Sequence, residues 1–300
     1  DGEHRVGGFC VNSQAVKPFC LFPRSNGMCE HLERYAPFAN FLALNGVIVV
    51  GNDHLGHGRT AGVPDDLGYF SALGGRRYLL EDLRTMNNLA RAAFPGLPLI
   101  MLGHSMGSFL VRQYAVEWPE EIDGLAILGT GGPRRFTDFG ISLARRMVIK
   151  EGPQYRPEKI HKAAFGAYLR KISKPKTPYD WISRDEDIVA TYNQDPRCTF
   201  QFTANGFHEL FSMSKEVNHP KWARQLPKDM PILMLAGEAD PVGEYGKGVR
   251  KVIDWMEEAN ITNLAYKFYP GARHELLNET NRREVYADIL TFLQLWRKPR

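Results

Sequence analysis

Cysteine is scarce in this chain: four in 300 residues, at 10, 20, 29 and 198, with no CxxC pair. That is too sparse for a disulfide scaffold and the wrong spacing for a zinc ribbon. Reduced thiols in a cytoplasmic protein are expected, with Cys10 and Cys20 the one pairing left open. Long apolar runs are missing too. VIVVG and LPLIML fall far short of the roughly 20 residues a membrane-spanning helix needs, and the opening DGEHRVGG has no apolar core of a secretion signal. Nor does one sign of charge dominate. Lys and Arg number 38 against 34 Asp and Glu, a net +4, and the basic residues are scattered apart from pairs such as Arg134-Arg135 and Arg145-Arg146. Nucleic acid is therefore not expected as a partner. No internal repeat or low-complexity tract is found. What is there, 43% hydrophobic and 24% charged residues, matches an ordinary globular protein with a large core.

Four apolar runs are continuous rather than alternating: VIVVGND (47–53), LPLIMLG (97–103), LAILGT (125–130) and PILMLAG (231–237). Such runs suit strands of a parallel sheet buried on both faces. AYKFY (265–269) adds one more. Amphipathic stretches lie between them. In residues 76–94, Leu79, Leu83, Met86, Ala90 and Ala93 recur at three- and four-residue steps, and Pro95-Gly96 ends the pattern. Val285, Ile289, Phe292, Leu293 and Trp296 repeat it near the end of the chain. Strand alternating with helix predicts an α/β fold with right-handed crossovers. The alternation stops between Pro133 and about Pro227, a stretch richer in charge, aromatics and proline. The predicted organisation is a core of 1–132 and 228–300 with a mostly helical cap, 133–227, over the C-terminal edge of the sheet.

GHSMG (103–107) fits G-x-S-x-G, a pattern that carries weight only where a strand leads in and a helix follows. Both conditions hold here: LIML precedes it, and Phe109, Leu110, Gln113 and Tyr114 continue at helical spacing. So tight a reversal strains the serine backbone and leaves no room for side chains at Gly103 and Gly107, which holds the Ser105 hydroxyl out at the sheet edge. A serine alcohol needs a base, and the base needs a carboxylate to orient it. PILMLAGEAD carries Asp240 just past one strand, and YPGARHE carries His274 in the loop after the next. Glu238 is the rival acid, disfavoured because it sits closer to the strand end.

NGMCEHLERYAPFA (26–39), DHLGHGRT (53–60), GHSMG (103–107), AGEADPV (236–242) and RHE (273–275) together resemble the α/β-hydrolase subgroup of monoacylglycerol lipases and lysophospholipases. The resemblance spans most of the chain outside the cap. It implies an α/β-hydrolase fold, hydrolysis of a monoacyl ester through an acyl-enzyme, no cofactor or metal, and an oxyanion hole made by the N–H groups of Met28 and Met106. The chain departs from that pattern at Asn26, in place of a histidine, and at Cys29 and Ser108, each in place of a glycine. Glu30 and Arg34 match it, and their i, i+4 spacing suits an ion pair bracing the loop. A peptidase or amidase on the same fold is the alternative activity.

The remaining histidines have plainer readings. His54 and His57 form an HxxH pair without a third ligand cluster, which disfavours zinc. His104 should leave its strand opposite Ser105 and pack beside the turn. His208 and Glu209 fall in the cap, where a second active centre is not expected. Phe136, Phe139, Ile141, Phe165, Tyr168, Phe207 and Phe211 either line an acyl channel or pack the cap's own helices; Glu30, Phe136 and Phe207 are the residues expected at the substrate. Transient contact with a membrane surface or micelle is expected through the cap.

Overall fold

Residues 8–11, 17–72 and 74–297 are described in the computed structural model; residues 1–7, read above for a secretion leader, lie outside them. Seven strands form one sheet in the order β1 (Gly8–Val11), β3 (Val47–Asn52), β2 (Cys20–Ser25), β4 (Ile100–His104), β5 (Gly124–Leu128), β6 (Ile232–Gly237) and β7 (Leu264–Tyr269). Only β1 runs antiparallel to its neighbour; every other pairing is parallel.

The continuous apolar runs are explained by the two layers they separate. On one face Leu21, Ile48, Met101, Ile127 and Met234 pack under α2 (Gly75–Ala93), α3 (Met106–Glu117) and α9 (Lys247–Glu258). On the other, Phe22, Val49, Leu102, Ala126 and Leu235 pack against α1 (Ala36–Leu44) and α10 (Arg282–Leu293). Successive residues of a strand point to opposite faces, so both must be apolar. Each such side chain contributes about 1.5–3 kcal/mol by leaving water. β7 is an edge strand: Ala265 and Tyr266 are exposed, Leu264, Lys267 and Phe268 half-buried and Tyr269 buried.

One central strand carries no such run. β2 reads CLFPRS, with a proline and an arginine in the middle of the sheet. Pro23 has no N–H to give. The ladder from β2 to β4 accordingly lapses at Phe22 and Pro23, between the Leu21–Leu99 bridge and the Arg24–Leu102 pair. Arg24 is fully buried beneath the Tyr35 ring.

Between β5 and β6 the described residues hold helices and no strand: α4 (Thr137–Glu151), α5 (Glu158–Phe165), α6 (Glu186–Gln194), α7 (Ala204–Val217) and α8 (Pro220–Gln225). No described helix is long and apolar enough to cross a membrane. All four thiols are free, Cys10 and Cys20 included.

Candidate active site

β4 ends at His104 and α3 begins at Met106, so Ser105 alone makes the reversal, at φ 52° and ψ −118°. Positive φ is costly for a residue with a Cβ and persists only where the surroundings impose it. Here the Ser105 N–H is held by Leu128 O at 3.0 Å, across the sheet. A Cβ on Gly103 would meet Gly107 O at 2.5 Å, and one on Gly107 would meet Ser25 O at 2.3 Å. The turn therefore tolerates no side chain at either glycine, as its sequence suggested.

Asp240 lies beyond β6 and His274 beyond β7, and both are buried. His274 Nδ1 is 2.9 Å from Asp240 Oδ2, while Asp240 Oδ1 accepts the Val242 N–H at 2.8 Å. The rival Glu238 is exposed on the surface. Burial is the largest influence on the imidazole and opposes its charged form, but the Asp240 carboxylate, by charge and hydrogen bond, outweighs it and raises the His274 pKa. Ser105 and His274 open on the same cavity. Among the described residues no hydrogen bond joins Ser105 Oγ to the imidazole; such bonds are often long in an empty site and tighten on substrate.

The loop after β2 reaches the cavity with Met28, Cys29 and Glu30. Cys29 adopts φ 56°, the left-handed backbone that the glycine usual at this position takes without cost. Its thiol donates to Phe200 O of the cap, 3.2 Å away. No hydrogen bond within the described residues uses the N–H of Met28 or of Met106, which leaves both as donors at the cavity.

Comparison with known proteins places this arrangement. Residues 22–281 match the model of the family described as serine aminopeptidase, S33. The chain belongs to that family, on the α/β-hydrolase fold. It is 29% identical to a monoacylglycerol lipase of Mycolicibacterium smegmatis over 90% of this chain and 86% of that one. To the human monoglyceride lipase it is 27% identical over 93% of this chain and 82% of that one. The crystal structure of a thermostable carboxyl esterase from Bacillus coagulans in complex with glycerol superposes with a TM-score of 0.91, at 31% identity, over 98% of this chain and 94% of that one.

The cavity of this α/β-hydrolase measures about 730 Å³ and runs beneath α4, α5 and α7. Phe136, Phe139, Phe165, Tyr168 and Phe211 line it, as one reading of the cap required. Phe207 and Ile141 do not. Phe207 is fully buried against Phe202 and Phe211, so the expectation that it touches substrate is corrected: on α7 it faces the core, one helical step from the wall residue Phe211. Phe136 is in the wall yet 72% exposed, at the rim.

Glu30 is in the wall, but its carboxylate is engaged by Arg24 at 3.3 Å, Tyr35 Oη at 2.5 Å, His104 Nδ1 at 3.2 Å and the Gly27 N–H. Burial pushes its pKa up, yet His104 and the two arginines Arg24 and Arg34 prevail and hold it well below the carboxylate range. The expected Glu30–Arg34 pair is long, 3.8 Å, because Arg34 forks instead onto Glu275 at 2.6 and 2.7 Å. His104 packs beside the turn, its ring 4.8 Å from that of His274. His54 and His57 are buried; desolvation lowers His54 to about 3, its Nε2 lies 3.0 Å from Ser25 Oγ, and His57 Nδ1 lies 2.9 Å from Leu55 O. Glu209 receives the Arg76 N–H at the start of α2, a structural use.

One group of metal-ligand types converges among the described residues, His31, Asp195 and Cys198. Asp195 Oδ2 is already shared by His31 Nε2 at 2.9 Å and Arg197 Nη2 at 3.1 Å, and the neighbouring guanidinium opposes a cation. The contact ties the loop after β2 to the cap. Pattern reading missed Arg24 and Trp181, whose ring lies 5.2 Å from that of His274, and gave Glu275 of the RHE segment no role. Only tertiary contacts reveal them: Arg24 on Glu30, Glu275 on Arg34 and Trp181 beside His274.

Proposed function

We propose that this α/β-hydrolase is a serine ester hydrolase of monoacyl lipid esters, with Ser105 as nucleophile, His274 as base and Asp240 as its orienting acid. The carrying observation is the placing of Ser105 and the His274–Asp240 pair together on one apolar-walled cavity. His274 takes the Ser105 proton as Oγ attacks the acyl carbonyl, and the N–H groups of Met28 and Met106 receive the oxyanion. Each such donor supplies about 2.7–4 kcal/mol in comparable sites. His274 then protonates the departing alcohol, and the acyl-enzyme is cleaved when the same imidazole removes a proton from water. Each methylene of the acyl chain held under the cap gains about 0.8 kcal/mol.

The cap, residues 133–227, is read as the face that meets lipid. Phe136, Phe139 and Ile149 are 72%, 66% and 77% exposed on or beside α4, next to Arg135, Arg145, Arg146 and Lys150. An apolar ridge flanked by cations suits transient attachment to an anionic interface. The four free thiols suit a reducing compartment such as the cytoplasm. The family's description also names an aminopeptidase, which calls for a carboxylate to grip a peptide N-terminus. Glu30 and Glu275 are spent on arginines and on one another's neighbours, leaving Glu244 at the cavity wall.

The test is a panel of p-nitrophenyl esters, monoacylglycerols and aminoacyl anilides, run on the wild type and on Ser105→Ala. Ester turnover lost in the variant, with fluorophosphonate labelling of Ser105 in the wild type, supports the reading. Preferred turnover of anilides overturns it in favour of the peptidase.

A further inference from the structure

Arg112 lies on α3, two turns beyond Ser105, and is completely buried. No carboxylate among the described residues pairs with it: its guanidinium donates to Thr130 Oγ1 at 3.2 Å, Asn218 Oδ1 at 3.1 Å and Val217 O at 2.6 Å, and packs over the Trp222 ring. A buried, uncompensated cation is costly and calls for a reason. From it a chain of contacts runs toward the nucleophile. Thr130 Oγ1 is 2.7 Å from Ser108 Oγ, and Ser108 Oγ donates to the main-chain carbonyl of Ser105.

Arginine only donates, a carbonyl only accepts, and each hydroxyl has one proton. Ser108 Oγ has both Thr130 Oγ1 and Ser105 O within reach; with its proton on the Ser105 carbonyl, Thr130 gives its own proton to Ser108 Oγ and accepts from Arg112. The Ser105 carbonyl and the Met106 N–H belong to a single planar peptide unit and point opposite ways across it. Holding the carbonyl on the Ser108 side aims the N–H at the cavity. Drawing electron density through the carbonyl makes that N–H a stronger donor, as aligned hydrogen bonds polarise one another. Ser108 also gives its own N–H to Ser105 O, at 2.9 Å.

We propose that Arg112, Thr130 and Ser108 form a positioning relay that strengthens the Met106 N–H toward the oxyanion. It rests on the reading of Ser105 as nucleophile and Met106 as oxyanion donor.

The test measures kcat and KM on a short p-nitrophenyl ester, and inhibition by an alkyl trifluoromethyl ketone, whose adduct with a serine places an alkoxide in the oxyanion hole. The variants are Ser108→Ala, Thr130→Val, Arg112→Met and the Ser108→Ala/Arg112→Met double variant, with thermal denaturation of each. Ser108→Ala is expected to lower kcat about ten-fold, leave KM within two-fold and weaken the ketone by the same factor as kcat. Arg112→Met should cost a similar factor alone and little more once Ser108 is alanine, since its influence passes through that hydroxyl. A kcat within two-fold of wild type in Ser108→Ala, or an undiminished Arg112 effect in the double variant, overturns the relay. If Arg112→Met does not fold, Thr130→Val takes its place in the double variant under the same criteria. A wild type that fluorophosphonate fails to label at Ser105 overturns the underlying reading instead.

Discussion

The sheet and the cap solve opposite problems in this molecule. At the sheet's C-terminal edge, β4 and β6, buried on both faces, lead to Ser105 and Asp240, and the edge strand β7 leads to His274; Asp240 has a fixed partner on each carboxylate oxygen. The cap instead encloses space. Its helices leave a cavity of about 730 Å³ and put Phe136, Phe139 and Ile149 outward, and it is joined to the core by apolar packing of Phe202, Phe207 and Met213 and by polar ties such as His31–Asp195 and the Arg156 contacts to Leu67 O and Asp65 O. A rigid edge suits groups whose mutual geometry sets a rate, and a looser helical cover suits a guest of variable length.

The largest effects should fall on the edge. Ser105→Ala is expected to lower ester turnover by about 10⁴-fold or more while leaving the thermal midpoint near that of wild type, as assayed by p-nitrophenyl release and calorimetry. Retained turnover would dissolve the contrast. Asp240→Asn should cost on the order of 10³–10⁴-fold in kcat through loss of the tautomer. The same pair governs pH dependence. The proposed mechanism needs neutral His274, and the neighbouring carboxylate raises its pKa, so kcat/KM should climb with pH through a midpoint above the ordinary histidine value of about 6.5. A limb below that value contradicts the assigned partner. By the same sign, stability from the imidazolium–Asp240 pair is present at low pH and is lost as pH rises through that midpoint.

Gly107→Ala probes the edge's rigidity. Its Cβ has no space beside Ser25 O and Asn26 O, and a loss of about 3 kcal/mol in a denaturant titration is expected. Cap substitutions should be milder and change preference rather than rate. Leu210→Trp, in the cavity wall, should shift the optimal acyl length shorter and cost long-chain esters about ten-fold, with short esters spared. A length profile unchanged from wild type removes the acyl channel. Ile149→Ser, on the exposed face of α4 and outside the cavity wall, should lower activity on vesicle-borne substrate only a few-fold and leave a soluble short ester untouched.

Particular residues show how far the pattern could be read. VIVVGND, LPLIMLG, LAILGT and PILMLAG became β3, β4, β5 and β6 to within three residues at either end, because two-sided burial writes itself as an unbroken apolar run, and AYKFY became the edge strand β7. CLFPRS did not, since Pro23 and Arg24 contradict a central strand unless a lapsed ladder and an aromatic ring receive them. The strain at Ser105 and the crowding at Gly103 and Gly107 follow from local backbone geometry, so five residues sufficed.

By itself, then, the order of residues determined the alternating architecture, the sharp turn carrying Ser105 and the two strand ends that present Asp240 and His274. These depend on periodicity and on turns only a few residues long. Tertiary structure alone decided that Arg34 holds Glu275 more closely than Glu30, that Phe211 lines the cavity while Phe207 does not, and that Arg112 is buried with no counter-ion among the described residues. Each of those outcomes is a competition among partners far apart in the chain, and only the packed molecule brings the competitors into range.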